Sequence, residues 1–151
     1  MTASDQLARR RRSRQDACVP IAVERDLARG WIRARANGTL SIDDVLDFIR
    51  TVRGPIQMRM WPLLFDARSC RSSITVADVD RAVELVSSLV HDQHQRRAHV
   101  ALVADDDGLY RWFLEYETRC GQLGVRVIRV FRQPEDAERW LEIVSAAREL
   151  S

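Results

Sequence analysis

The stretch Val100-Ala101-Leu102-Val103-Ala104, followed at once by Asp105-Asp106-Asp107, decides the fold class of this chain. Five successive apolar residues are too few for a helix of their own. A short apolar run that ends in polar residues is typical of a strand buried inside a sheet. The patterns on either side of this strand then indicate how the rest of the sheet is built.

Helical periodicity begins soon after the three aspartates. Residues 125–131 predict the next strand, and Pro134 opens a last helix because proline is favoured at the first helical position. The intervening helix ends between Gly121 and Gly124, and its apolar stripe consists of Leu109, Trp112, Phe113, Tyr116 and Cys120.

Two more helices precede the central strand. Ser41 with Asp44 and Thr75 with Asp78 are capping-box pairs that mark the helix starts. Between these helices, the apolar run from Met60 to Asp66 predicts a buried strand. The sequence therefore alternates strands with helices on both sides of residues 100–104.

The N-terminal part of the pattern is a β-hairpin. Residues 19–24 and 31–36 alternate apolar and polar side chains, and residues 25–30 between them have turn chemistry. We expect Asn37-Gly38 to form a turn that closes the second strand.

The complete order is β-β-α-β-α-β-α-β-α. It predicts an α/β domain with a single mixed, largely parallel sheet that is opened by a β-hairpin and covered by helices. Residues 1–17 are polar and rich in arginine, so we expect a disordered N-terminal arm there. Residues 18–151 are predicted to form the domain itself.

With this order, the chain resembles the STAS/SpoIIAA-like group, which includes many short bacterial proteins. The resemblance extends from about Ile21 to Leu141. It implies a STAS/SpoIIAA-like fold and a non-enzymatic regulatory or protein-interaction role, exerted by docking a partner protein or a second copy in a homodimer. Four stretches carry it: Asn37-Gly38-Thr39-Leu40, Leu63-Leu64-Phe65-Asp66, Val100-Ala101-Leu102-Val103-Ala104-Asp105-Asp106, and Val130-Phe131-Arg132 leading into Glu135-Asp136-Ala137-Glu138-Arg139-Trp140-Leu141.

The resemblance also points to a phosphorylatable hydroxyl. In the anti-sigma-factor antagonists of this fold, a serine in an Asp-Ser-Ser-Gly turn follows the central strand. The comparable region here contains Ser72, Ser73 and Thr75, without the preceding aspartate or the following glycine. These three residues are candidates for phosphoregulation by position alone.

Charge and composition exclude several function classes. All 24 basic residues are arginine, which indicates the coding bias of a GC-rich bacterial genome and excludes a Schiff-base or P-loop lysine. Residues 1–14 hold five arginines and one aspartate, so the excess positive charge lies in the arm. We expect no nucleic-acid-binding face on the domain, although the arm could bind polyanions non-specifically.

Neither a membrane-spanning run nor a signal peptide is visible, and we expect a cytoplasmic protein. Cys18, Cys70 and Cys120 are odd in number and far apart, so no disulfide framework is predicted.

Candidate catalytic and metal-binding groups have ordinary structural interpretations. Asp66 and residues 105–107 end predicted strands, where they could hold Mg²⁺ but more simply cap helices. His91 and His94 have helical i, i+3 spacing without a third ligand. His99 precedes a buried strand and is assigned a structural role. The sequence therefore predicts no catalytic set, metal or cofactor.

Aromatic residues form the most promising candidate site. Tyr110, Trp112, Phe113 and Tyr116 crowd one helix, and Trp61 lies on a neighbouring element. They cannot all face one core, so we expect Tyr110 or Trp112 at the surface, in a docking patch. The alternative is an apolar pocket for a small, lipid-like ligand. A closed cavity would favour ligand binding, and a flat exposed patch would favour docking.

Overall fold

A computed structural model describes residues 21–55, 60–90 and 98–149 of the chain. Outside these residues lie the predicted arm at residues 1–17, Cys18, His91 and His94. What the sequence predicts for them stays a prediction. The described elements are β1 (Ile21–Asp26), β2 (Trp31–Leu40), α1 (Ile42–Arg53), β3 (Leu63–Ser72), α2 (Val76–Leu89), β4 (His99–Val103), α3 (Asp107–Leu123), β5 (Val127–Phe131) and α4 (Pro134–Glu149).

The five strands form one sheet in the order β1-β2-β3-β4-β5. The β1–β2 hairpin is antiparallel, and β2, β3, β4 and β5 are parallel to one another. Each parallel connection contains a helix, as parallel neighbours require. The predicted α/β class, the element order and the mixed sheet are confirmed.

Helices cover the two faces of the sheet unequally. On one face, α1, α2 and α3 pack over the larger core, and on the other face α4 covers mainly β4 and its neighbours β3 and β5. Side chains alternate between the two faces along each strand. Phe65 and Leu102 point into the larger core, whereas Leu64 and Val103 pack beneath Ala137 of α4.

The predicted helix starts are confirmed by reciprocal hydrogen bonds. Ser41 Oγ accepts the Asp44 N–H at 3.2 Å, and Asp44 Oδ2 accepts the Ser41 N–H at 3.1 Å. Thr75 donates its N–H to Asp78 Oδ2 at 3.1 Å in the same arrangement. Each pair satisfies N–H groups that lack partners in the first helical turn.

The prediction that Asn37-Gly38 closes the second strand was wrong. β2 continues to Leu40, and Gly38 lies inside it with a φ of +81° that glycine adopts without strain. The pairing with β3 shifts there: Arg35 is opposite Asp66, but Asn37 is opposite Ser69. The extra residue on β3 makes an irregularity that a turn signal in β2 alone does not reveal.

Strand boundaries also differ from the prediction around β3 and β5. β3 begins at Leu63 and runs to Ser72, because its polar second half pairs with the extended β2. β5 begins at Val127, not at Val125. The Val125 N–H donates to the Cys120 carbonyl at 3.1 Å, so Val125 belongs to the C-terminal cap that follows α3.

Candidate functional site

An apolar cavity of about 60 Å³ lies inside the larger core, between the sheet and helices α1, α2 and α3. Aliphatic side chains such as Val86, Val100 and Leu102 form part of its wall. Five aromatic side chains complete the apolar lining, and they are Phe48, Phe65, Trp112, Phe113 and Tyr116. The cavity has room for about two water molecules, since one water occupies ~30 Å³ in the liquid.

Three residues of the predicted aromatic cluster line this cavity from α3. Trp112, Phe113 and Tyr116 are 4%, 3% and 8% exposed. Trp112 stacks on Tyr116 with ring centroids 5.7 Å apart, and its Nε1–H donates to the Thr75 carbonyl at 3.0 Å. Phe113 meets Phe65 edge to face at 6.1 Å. These contacts fix the aromatic side of the cavity.

The other two predicted site residues lie outside the cavity. Tyr110 is half-buried, and the Arg132 guanidinium lies 3.9 Å from its ring centroid. Trp61 is also half-buried, with the Arg25 guanidinium 5.7 Å from its ring. The alternative that placed Trp112 at the surface was wrong, because Trp112 is buried and its indole N–H donates to the Thr75 carbonyl. Of that pair, Tyr110 is the one nearer the surface.

Two arginines, which the sequence did not single out, line the same cavity. Arg53 and Arg126 are only 3% and 4% exposed. Arg53 ends α1 and donates Nη1–H to the Trp61 carbonyl at 2.9 Å. Arg126 directly precedes β5 and donates Nη1–H to the Val125 carbonyl at 3.0 Å. Both arginines therefore come from the edge of the sheet where the parallel strands begin.

A sequence signal for Arg53 did exist. It follows Ile49 by four residues, so it lies on the buried stripe of α1. For a charged residue this placement is unusual, because arginines are rarely fully buried. Arg126 had no comparable signal, since it interrupts an apolar segment in the way that a surface arginine would.

Arg53 and Arg126 are the charged residues among those that line the cavity. Burial, and then the neighbouring Arg126 charge, lower the pKa of Arg53 to about 9, which leaves its guanidinium charged at neutral pH. Burial lowers the pKa of Arg126 as well. Burial also raises the pKa of Tyr116 well above its ordinary value, so its hydroxyl stays protonated and can donate a hydrogen bond.

The buried thiols are poor nucleophiles. Burial raises the pKa of both Cys70 and Cys120 to about 11. The thiolate is the reactive form of cysteine, and its population at neutral pH is therefore small at both positions.

The aspartates have different roles from one another. Asp106 is the N-cap of α3, where its Oδ2 accepts the Leu109 N–H at 2.9 Å, as predicted. Asp107 forms an ion pair with Arg132, whose Nη1–H also donates to the Asp105 carbonyl.

The capping interpretation was wrong for Asp66, which lies inside β3. It accepts the Arg68 N–H and Nε–H at the strand irregularity. Across residues 21–55, 60–90 and 98–149, no group of three or more His, Cys, Asp or Glu side chains is placed to hold a metal ion.

The candidate phosphoregulatory hydroxyls lie between β3 and α2. Ser72 Oγ accepts the Ile74 N–H at 3.0 Å, and Ser73 Oγ donates to the Leu40 carbonyl at 3.4 Å. Thr75 is exposed and caps α2. A role for these hydroxyls in phosphoregulation stays a prediction.

The described part of the chain contains no helix long and apolar enough to cross a membrane. His99, which was assigned a structural role, begins β4 and packs against Trp140, with ring centroids 5.6 Å apart.

Comparison with known proteins gives a fold likeness and no activity. No protein-family model matches the sequence, and no curated protein matches it. Among solved structures, the chain is similar to an uncharacterized protein of the DUF3478 family with a SpoIIAA-like fold, from Shewanella loihica PV-4. The identity is 16%, the TM-score is 0.48, and the match covers 80% of this chain and 91% of that chain.

Proposed function

We propose that this domain binds a small, mainly apolar ligand in the cavity beneath α3. The single observation that carries the proposal is a cavity in the core that is lined by five aromatic rings and by aliphatic side chains. Protein interiors are otherwise close-packed, so a space of this size has a cost in stability unless something fills it.

The size of the cavity limits the ligand. Sites for drug-sized molecules usually enclose ~300–1,000 Å³. A cavity of about 60 Å³ instead accommodates a chain of a few heavy atoms. We therefore propose a short-chain compound and not a long lipid.

The docking role expected from the sequence has less support. Trp112, Phe113 and Tyr116 already bury their area inside the core and have little left for a partner. Docking of a partner protein or a second copy stays a prediction that rests on Tyr110. A regulatory, non-enzymatic role in the cytoplasm remains compatible with ligand binding. The free thiols of Cys70 and Cys120 suit a reducing compartment.

A titration with neutral alcohols tests the proposal. Ethanol, propan-1-ol and butan-1-ol are added to isotopically labelled protein, and the methyl resonances of Val86, Val100 and Leu102 are followed. Each additional buried methylene contributes about 0.8 kcal/mol, so affinity should rise about fourfold per carbon until the cavity is full. The shifts should be saturable and confined to the cavity.

Val100→Ile supplies the matched control, because it places one methylene inside the cavity. The alcohol that binds Val100→Ile most tightly should be about one carbon shorter than the alcohol that binds wild type most tightly. Val79→Ile changes a buried valine outside the cavity wall and should leave the preferred length unchanged. Shifts that do not saturate, or a length preference that Val100→Ile leaves untouched, would count against the proposal.

A further inference from the structure

We propose that this domain also binds a basic amino acid, such as lysine, in a second and larger space on the opposite face of the sheet. That space is an open groove of about 450 Å³ between α4 and the adjacent face of β1, β2 and β3. Sites for small molecules usually have a volume of ~300–1,000 Å³. The inference does not depend on the cavity beneath α3, because the two spaces share no lining residue.

The groove exists because α4 does not extend over the β-hairpin. α4 packs mainly on β4, β5 and β3, so the same face of β1 and β2 stays open. Strand alternation places Glu24 of β1 and both Arg33 and Arg35 of β2 on this open face. Arg33 donates Nη1–H to Glu138 of α4 at 2.7 Å and Nε–H to Asp26 at 3.1 Å. This bridge joins the floor of the groove to its helical wall.

The charges of the groove are only partly paired with one another. Its lining carries four carboxylates and three guanidinium groups, an excess of one negative charge. One guanidinium belongs to the bridge just described, and another is that of Arg68, which donates to Asp66 at 3.0 and 2.9 Å. Among the residues that the structure describes, Glu24, Arg35 and Glu135 take part in no ion pair. One cation and two carboxylates therefore remain for a ligand.

A basic amino acid carries the complementary set of one carboxylate and two cationic groups. Its carboxylate matches Arg35, because a planar guanidinium presents parallel N–H groups to two oxygens. Its α-ammonium group and its side-chain cation match the carboxylates of Glu24 and Glu135. Glu24 and Arg35 are diagonal neighbours on adjacent strands, which places their Cα atoms roughly 7–8 Å apart. A ligand whose charges are several bonds apart can contact both side chains.

The rest of the lining suits the aliphatic part of such a ligand. Ala22, Leu64 and Pro134 contribute apolar surface between the charged groups. The methylene groups of a lysine side chain can lie on that surface while its ammonium group stays in water. A simple anion would be repelled by the excess of carboxylates, and a diamine would leave Arg35 without a partner. The basic amino acid is the class that uses all three unpaired charges.

Three compounds of matched shape test the charges one at a time. Lysine is compared with norleucine, which lacks the side-chain charge, and with lysinamide, which lacks the carboxylate. The titrations follow the methyl resonances of Ala22 and Leu64 at about pH 6, below the α-amino pKa of ~7.7–8.0. We expect saturable millimolar binding of lysine, and about two- to fivefold weaker binding of each comparator, because exposed ion pairs contribute little individually. Added salt should weaken lysine binding by screening.

Variants at exposed positions then locate each preference. Arg35→Gln should make lysine and lysinamide bind equally well, because the partner of the carboxylate is lost. Glu24→Gln and Glu135→Gln should each weaken lysine binding by a similar factor of about two to five. The matched controls are Arg71→Gln on β3 and Glu84→Gln on α2, which remove exposed charges outside the groove and should leave all three affinities unchanged.

The outcomes separate this inference from the proposed function. Lysinamide binding at least as tightly as lysine would overturn the inference, since it would show a groove that merely attracts cations. Norleucine binding as tightly as lysine, or no saturable shift in the millimolar range, would overturn it as well. The comparison of the three compounds on wild type stands even if a variant fails to fold. The alcohol titration reports on Val86 and Val100 instead, so either proposal can fail while the other stands.

Discussion

Replacing Val100 with isoleucine should stabilise this protein, although most changes to a close-packed core do the opposite. Val100 lines a cavity of about 60 Å³ on β4. At ~24 cal/mol per Å³, an empty cavity of that size destabilises the fold by about 1.4 kcal/mol. One additional methylene placed there contributes about 0.8 kcal/mol. We therefore expect a gain of ~0.5–1 kcal/mol in the free energy of unfolding.

Isoleucine is a suitable replacement because it keeps the β-branch of valine and hence the side-chain preferences of a strand. The matched comparison is Val79→Ile, at a fully buried valine of α2 that does not line the cavity. Overpacking at such a position typically costs ~1–3 kcal/mol. The same chemical change should thus have opposite signs at the two positions.

Equilibrium denaturation in urea, with thermal melts as a second measure, gives both free energies. For a domain of this size, 1 kcal/mol corresponds to roughly 2–4 °C in Tm. We expect the melting temperature to rise by about 2 °C for Val100→Ile and to fall by several degrees for Val79→Ile. Equal destabilisation by the two variants would refute the reasoning, since it would mean that the space beside Val100 does not exist in solution.

Three further predictions concern other parts of the molecule. Asp106→Ala should cost about 1 kcal/mol of stability in urea denaturation because the cap of α3 is lost. Asp105→Ala should cost much less, because the backbone carbonyl that accepts from Arg132 is kept. Burial raises the pKa of Tyr116. The stability that this group contributes is therefore complete below the unfolded pKa of ~10 and falls as the pH rises further. Tyr116→Phe should remove that part of the loss of folding free energy measured by denaturation at about pH 9–11. Sedimentation of wild type and Tyr110→Ala should show a larger associated fraction for wild type if Tyr110 docks a second copy, and two equal monomers would remove that form of docking.

Local signals explain why much of the fold was predictable from the sequence. The capping pairs at Ser41 and Thr75 lie within four residues of their partners, and the apolar run at residues 100–104 needs no distant information. The prediction of a turn at Asn37-Gly38 failed because the conformation of these residues is set by pairing with β3, which lies far along the chain. A turn signal and a strand irregularity use the same residues, and only the neighbouring strand distinguishes them.

The candidate site was less predictable for a related reason. The aromatic stripe of α3 identified Phe113 and Tyr116 correctly as inward-facing, but the sequence could not decide between Tyr110 and Trp112. That choice depends on the Thr75 carbonyl of another loop. Arg53 and Arg126 line the same cavity because the sheet brings the end of α1 and the start of β5 to the same edge. No spacing within the sequence indicates that these two residues lie in one lining.

The hydrogen bond from Trp112 to Thr75 gives the domain a built-in optical reporter. The fluorescence of Trp112 depends on the hydrogen bond from its N–H to the Thr75 carbonyl, on the Tyr116 ring that stacks against it and on the cavity that it lines. In a variant that keeps Trp112 as its single tryptophan, ligand entry would change the emission through the cavity side of the ring. Phosphorylation of Thr75 would change it through the hydrogen-bonded edge. One residue would thus report on the ligand site and on the candidate phosphorylation site in the same spectrum.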